Sequence, residues 1–210
     1  MPISRKFVLN CQDQETCIEL INTLLENLPS TTFISYRIRG NKVEITVQGL
    51  KHEVQGIWAL IRHYYSDIMK IKSQTIKQVK EYPIRYIVSK THRTFPPDVL
   101  VEVLRTLGYI AEVQDDDVVT NADLDIIVSI ASRIADIIDR IKYEVVGKST
   151  KKIVAYAAIV LDREPKEVIE ELKNAGILVV DEETGKPKTR INIVQAIRRI
   201  KTIYKQELRA

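Results

Sequence analysis

The sequence is poor in the residues that build disulfide frameworks, metal centres and glycine-rich loops. Its 210 residues include only two cysteines, three histidines and seven glycines. Cys11 and Cys17 are six residues apart, a spacing that matches neither a CxxC pair nor a zinc knuckle. We expect both to be small, buried, apolar side chains without a disulfide, as is usual in a reducing cytosol.

Catalytic and ligand-binding motifs are equally scarce. No phosphate-cradling glycine loop, zinc-protease motif or nucleophile elbow occurs. His52 and His63 are too far apart along one predicted helix to share a metal ion, and His92 lies in a basic loop. The acidic run from Asp115 to Asp117 would attract a hard cation, but a solvated turn explains it more simply. We therefore predict no enzyme activity, no metal and no cofactor.

Long apolar segments are missing too. No stretch approaches the ~18–20 uncharged apolar residues of a membrane-spanning helix. The first ten residues contain no apolar run of signal-peptide length. The composition, 45% hydrophobic and 29% charged, is that of a globular protein. These features predict a cytoplasmic protein that does not associate with membranes.

Charge is distributed unevenly along the chain. Residues 1–80 contain 11 Lys or Arg and 7 Asp or Glu, residues 81–145 contain 7 and 12, and residues 146–210 contain 14 and 9. Two basic ends therefore flank an acidic middle. Such asymmetry indicates a polyanionic partner for the ends, although excesses this small also occur on ordinary solvated surfaces.

Two consecutive segments share the predicted order β-α-β-β-α, because period-two alternation marks strands and apolar spacings of three and four mark helices. The first unit has strands over residues 6–11, 34–38 and 43–47 and helices over 18–28 and 50–70. The second has strands over 84–89, 109–114 and 118–121 and helices over 98–107 and 123–141. Residues 71–82 are either a further strand, which would complete a ferredoxin-like unit, or a linker. The two units either share one sheet or form two.

Helix 123–141 has a wide apolar surface. Its apolar side chains cover roughly 200° of the helical wheel, about twice what packing on one sheet requires. We expect the surplus to pack against the first unit or the C-terminal segment, with a second copy of the chain or another protein as the alternative.

The C-terminal segment, residues 147–210, has a different order of predicted elements. A helix, a tight connection, a second helix between Pro165 and Gly176, and a hairpin with a basic returning arm follow one another. Residues 149–192 thereby resemble a winged helix-turn-helix. The second helix exposes several glutamates, however, and acidic side chains do not suit a phosphate-lined major groove. Such a module is expected to contact protein or to bind through its wing.

Basic residues in three places are the candidate nucleic-acid contacts. One flank of the last predicted helix suits phosphates through counterion release, although a solvated face would look the same. Strand 33–39 places Phe33 and two arginines on the face opposite the apolar one, which is a platform for a single strand. The corresponding hairpin tip of the second unit is acidic. The candidates are Arg37, Arg39, Lys42, Lys186, Lys188, Arg190, Arg198, Lys201, Lys205 and Arg209.

The order of elements, the hairpins at Gly40-Asn41 and at Asp115 to Asp117, and the segment from Pro165 to Arg190 resemble an uncharacterised archaeal family that carries only a domain-of-unknown-function label. The resemblance spans most of the chain. It implies no activity and no site residues.

The sequence thus predicts an α+β protein. It has tandem βαββα, ferredoxin-like units over residues 1–80 and 81–146 and a winged-helix-like module over 147–210. The favoured function is non-catalytic binding of RNA or a ribonucleoprotein. Two alternatives stay open. One is a ligand-responsive DNA-binding regulator, which would dimerise and contain a small-molecule pocket. The other is an adaptor that uses helix 123–141 as a protein contact.

Overall fold

The structure, a computed structural model, describes residues 2–29, 33–73 and 79–207, with the backbone alone at 205–207. The chain divides into two units, Met1–Gln78 and Val79–Ala210. The described residues form helices and short antiparallel sheets, so the predicted mixture of α and β structure is confirmed. The strands of the two repeats belong to two separate sheets.

The first unit has the predicted order of elements. Its sheet has the order β1-β3-β2, and both pairings are antiparallel. The elements are β1 (Ile3–Asn10), α1 (Gln14–Asn27), β2 (Phe33–Arg39), β3 (Lys42–Gly49) and α2 (Lys51–Lys72).

The core of the first unit lies between one face of this sheet and the two helices. Val43, Ile45 and Val47 alternate along the central strand, and all three are fully buried. Both helices contact the sheet, and Phe7 stacks on Trp58 of α2 with ring centroids 4.0 Å apart. Because successive strand residues point to opposite faces, burial of this set leaves the intervening side chains on the other face.

The expectation of two unpaired thiols is wrong, because Cys11 and Cys17 form a disulfide. Cys11 directly follows β1, and Asp13 then starts α1 by accepting a hydrogen bond from the Thr16 amide at 2.7 Å. This tight reversal brings the two Cα atoms to 5.5 Å, within the usual range for a disulfide. The predicted burial of both is correct, since Cys17 is fully buried and Cys11 is 9% exposed. Unpaired thiols therefore no longer support the expectation of a reducing compartment.

Removing this disulfide is expected to destabilise the first unit by about 2 kcal/mol, because the bond closes a short loop and restricts the unfolded chain. Urea unfolding of the wild type with and without reductant, beside the Cys11→Ala/Cys17→Ala double variant, measures the effect. Reductant should not change the unfolding free energy of the double variant. An unchanged midpoint in both comparisons would contradict a stabilising role.

The second repeat differs from its prediction at the start. The prediction of a strand over residues 84–89 is wrong, because the strand ends at Pro83 and a helix begins at Ile84. Period-two and helical patterns are hard to distinguish in so short an apolar run, and here helical packing of Tyr86 and Ile87 prevails. The elements are β4 (Lys80–Pro83), α3 (Ile84–Thr91), α4 (Pro97–Thr106), β5 (Ala111–Gln114), β6 (Asp117–Thr120) and α5 (Leu124–Arg140).

The sheet of the second repeat has the order β4-β6-β5 and is also antiparallel. Both repeats therefore place their third strand at the centre of the sheet. The second repeat has one additional helix, α3, between its first strand and the helix α4. The strand considered for residues 71–82 forms at 80–83, and residues 74–78 lie outside the described part of the chain.

The C-terminal segment packs on the second repeat within the same unit. Its first helix is central, because every residue from Ile153 to Val160 is buried. This helix contacts α4 and α5 as well as its own neighbours, so most of the wide apolar surface of α5 is covered within the second unit. The elements are α6 (Lys148–Val160), α7 (Pro165–Asn174), β7 (Leu178–Val180), β8 (Pro187–Thr189) and α8 (Ile193–Glu207).

Candidate nucleic-acid interface

The face of sheet β1-β3-β2 opposite the buried one is open. We call it the outer face. Strand register assigns its members, because directly paired residues in an antiparallel sheet share a face. The outer face consists of Ser4, Lys6, Val8, Asn10, Phe33, Ser35, Arg37, Arg39, Lys42, Glu44, Thr46 and Gln48.

Four cations and one acid give the outer face a positive charge. Arg37 pairs directly with Glu44 across the strands, and Arg39 pairs with Lys42. Lys6 approaches the Glu44 carboxylate at 2.8 Å. The hydrogen bond from Lys6 lowers the pKa of Glu44, and the nearby charges of Arg39 and Arg37 lower it further. The carboxylate therefore stays ionised and offsets part of the surrounding positive charge.

An aromatic ring and an aliphatic side chain add exposed apolar surface to these cations. Phe33 is 66% exposed at the start of β2, and Val8 is 53% exposed on β1. A strand rises ~3.3 Å per residue, so Phe33 and Arg39 are about 20 Å apart along β2. A ring at one end and guanidinium groups further along can stack one base and contact phosphates at the same time.

The hairpin that carries Arg39 and Lys42 is held at its tip. Gly40 has a φ of +57°, a conformation that favours glycine. The Cys11 amide donates to the Asn41 carbonyl at 2.7 Å, and the Asn41 side-chain amide donates to the Gln12 carbonyl at 3.1 Å. These bonds connect the tip to the segment that the disulfide closes, so the two basic side chains start from a fixed backbone.

The corresponding face of the second repeat is acidic. Strand pairing puts Glu81, Val119 and Glu112 in one row and Pro83, Asp117 and Gln114 in the next. The hairpin tip adds Asp115 and Asp116, both exposed. Among the residues that the structure describes, no group of three His, Cys, Asp or Glu is placed to hold a metal ion. The repeats thus share a topology and differ in the charge of the equivalent surface.

Two of the C-terminal candidates that the structure describes are paired with acids. Lys188 contacts Asp181 at 2.5 Å, and Lys201 contacts Glu102 at 2.8 Å. The hydrogen bonds from Lys188 and Thr184 lower the pKa of Asp181 to about 2, so that pair is ionised at neutral pH. Lys186, Arg190 and Arg198 are exposed. The side chain of Lys205 and all of Arg209 lie outside the described residues.

Helix α7 keeps the acidic surface that its sequence predicts. Glu170 contacts Lys173 at 2.9 Å, and Glu171 pairs with Arg163. Glu170 and Glu171 therefore engage basic side chains of the same region. The outer face of the first unit, in contrast, brings four cations together with an exposed aromatic ring.

Lys6 and Val8 are functional candidates that the sequence prediction missed. Their signal was present in the sequence, because Lys6 and Val8 alternate with Phe7 and Leu9 along one strand. Their position on one face with the β2 and β3 cations, however, depends on the pairing of β1 with β3. That pairing joins residues more than thirty positions apart.

No helix in the described part of the chain is long and apolar enough to cross a membrane. Comparison with curated proteins and with solved structures found no match. A family model described as "Uncharacterized protein conserved in archaea (DUF2067)" matches residues 9–208. This match begins at the end of β1 and includes the rest of both repeats and the C-terminal segment. The chain therefore belongs to the DUF2067 family of archaeal proteins.

Proposed function

We propose that this protein binds single-stranded RNA, free or within a ribonucleoprotein, through the outer face and without catalysis. The observation that carries the proposal is the exposed Phe33 on the same open sheet face as Lys6, Arg37, Arg39 and Lys42. Phosphates would release condensed counterions on contacting the cations, and an unpaired base would stack on the ring.

The proposed fold types agree with this function. A ferredoxin-like assignment of the first unit is supported by the order β1-β3-β2 with both helices on one face, which leaves the other face accessible. A winged-helix-like assignment of the C-terminal segment is supported by the succession of α6, α7 and the β7-β8 hairpin. Under this proposal the first unit binds RNA, and the second unit contributes little to the affinity.

The shapes of the outer face and of helix α7 favour single-stranded RNA over duplex DNA as the ligand. Reading a duplex requires a helix or a two-stranded ribbon that fits the major groove and presents Arg, Lys, Asn or Gln. Helix α7 presents glutamates instead, and its Glu170 and Glu171 pair with basic neighbours. A three-stranded sheet face with one accessible ring suits splayed, unstacked bases.

The sharpest test is a gain of affinity. Glu44→Gln removes the one carboxylate of the outer face and releases Lys6 from its ion pair. We expect tighter binding of a labelled single-stranded RNA and a log–log salt slope steeper by about 0.7, equivalent to one more phosphate contact. Fluorescence anisotropy over a salt series measures both quantities. A loss of fold would weaken binding, so a gain cannot arise from damage.

Glu112→Gln is the matched control, because Glu112 occupies the acidic face of the second repeat. It should leave RNA affinity unchanged. Equal effects of the two substitutions would show that only the net charge of the protein matters, and the proposed interface would then be wrong. No change with Glu44→Gln would also contradict it.

A further inference from the structure

A cleft in the second unit lies between α4, β5 and α8 and has a volume of about 490 Å³. Apolar side chains form most of its wall. Two of them are unusually accessible for their type, since Val194 is 63% and Val113 is 41% exposed. The apolar wall comprises Val99, Val101, Val113, Ile193, Val194 and Ile197.

Charged side chains on the cleft wall carry an excess of positive charge. The Glu102 carboxylate accepts hydrogen bonds from both Lys201 and Arg105 at 2.8 Å, so two cations share one acid. Arg198 lines the same wall and is exposed. Asp98, the other acid of the lining, is matched by Lys152 at 2.6 Å.

The ionisation of Glu102 fits this arrangement. Burial alone would raise the pKa of this carboxyl, but the hydrogen bonds from Lys201 and Arg105 outweigh burial and lower the pKa. The acid is therefore charged and already paired twice. Because Lys201 and Arg105 share the single carboxylate of Glu102, part of their positive charge remains available to an anion that enters the cleft.

We infer that this cleft binds a small molecule with an apolar body and one anionic group. Its volume lies within the ~300–1,000 Å³ of small-molecule sites, and an apolar lining with few polar groups is their usual composition. The apolar wall would cover the body of the ligand, and Arg198, Lys201 and Arg105 would face its anion. The inference is independent of RNA binding, because the outer face belongs to the other unit.

The test uses the full-length protein and the dye 8-anilinonaphthalene-1-sulfonate, which has an aromatic body and one sulfonate. We expect saturable fluorescence enhancement at one site, displaced by decanoate. Arg198→Glu should weaken binding of the dye roughly tenfold or more, the range for a lost charged hydrogen bond. Val194→Glu should weaken it similarly by placing a carboxylate at the cleft mouth.

Matched controls are available in the same unit. Arg199 neighbours Arg198 and is exposed but does not line the cleft, and Val180 is exposed at 52%, against 63% for Val194. Arg199→Glu and Val180→Glu should leave dye affinity unchanged. Because all four positions are exposed, every variant should fold, and circular dichroism checks this.

Three results would overturn the inference. The first is equal loss of dye binding in the control and cleft variants. The second is a loss on Leu25→Glu, since Leu25 borders a separate apolar gap of about 200 Å³ in the first unit. The third is a dimer of the wild type that Val194→Glu dissociates in light scattering, which would assign the cleft to a second copy. The inference is supported if the dye binds the wild type and the control variants at one site and binds the two cleft variants more weakly.

Discussion

Replacing Arg37 and Arg39 together by glutamate will weaken single-stranded RNA binding on the order of 25-fold or more at 0.1 M salt. Each phosphate contact on a single strand contributes about 0.7 to the log–log salt slope, so two lost contacts correspond to roughly 1.4 decades at that salt concentration. Glutamates opposite Glu44 and Lys42 would also repel the backbone. Both arginines are exposed, so the fold should persist.

Lys186→Glu/Arg190→Glu is the control for this double variant. It makes the same charge change at two exposed positions of the C-terminal hairpin region. We expect it to alter RNA affinity less than threefold. A larger loss of RNA affinity in the control than in the Arg37/Arg39 variant would show that the interface lies in the C-terminal segment.

Truncating Ile134 to alanine will lower the free energy of unfolding by about 2–5 kcal/mol, the range for a fully buried isoleucine. Ile134 has no exposed surface and belongs to the face of α5 that packs within the second unit. Urea unfolding measures the change. Ile138→Ala on the same helix is the control, and because Ile138 is only half-buried it should cost less.

This pair of variants also tests the adaptor alternative. That alternative required the apolar surface of α5 to be available to a partner or to a second copy. Packing of α5 on α3, α4 and α6 covers most of it. A neutral Ile134→Ala combined with a change in molecular mass would mean that α5 contacts another chain instead.

The outer face could largely be predicted because it depends on alternation. Ser35, Arg37 and Arg39 alternate with Ile34, Tyr36 and Ile38, and the side-chain period of a strand is two. Because the face with Ile34, Tyr36 and Ile38 is the one that packs on the helices, the other set must point away. The positions of Phe33, Arg37 and Arg39 follow from this local rule alone.

What could not be predicted depends on contacts between distant residues. The helical wheel of α8 places Lys201 on a basic flank, but its partner Glu102 is 99 positions away in the sequence. The disulfide depends on the reversal after β1, which cysteine spacing does not reveal. Residues 84–91 are apolar enough for either a strand or a helix, and their packing against α5 decides in favour of the helix.

The most direct test of the proposed function compares labelled single-stranded RNA and duplex DNA of equal length over a salt series, with the wild type and Phe33→Ala. We expect tighter binding of RNA, with a log–log slope of about −2 to −3 for three to four phosphate contacts. Loss of one stacked base should weaken binding of the Phe33→Ala variant roughly 5- to 150-fold with the slope unchanged. Equal affinity for both nucleic acids, or RNA binding that does not depend on Phe33, would contradict the account.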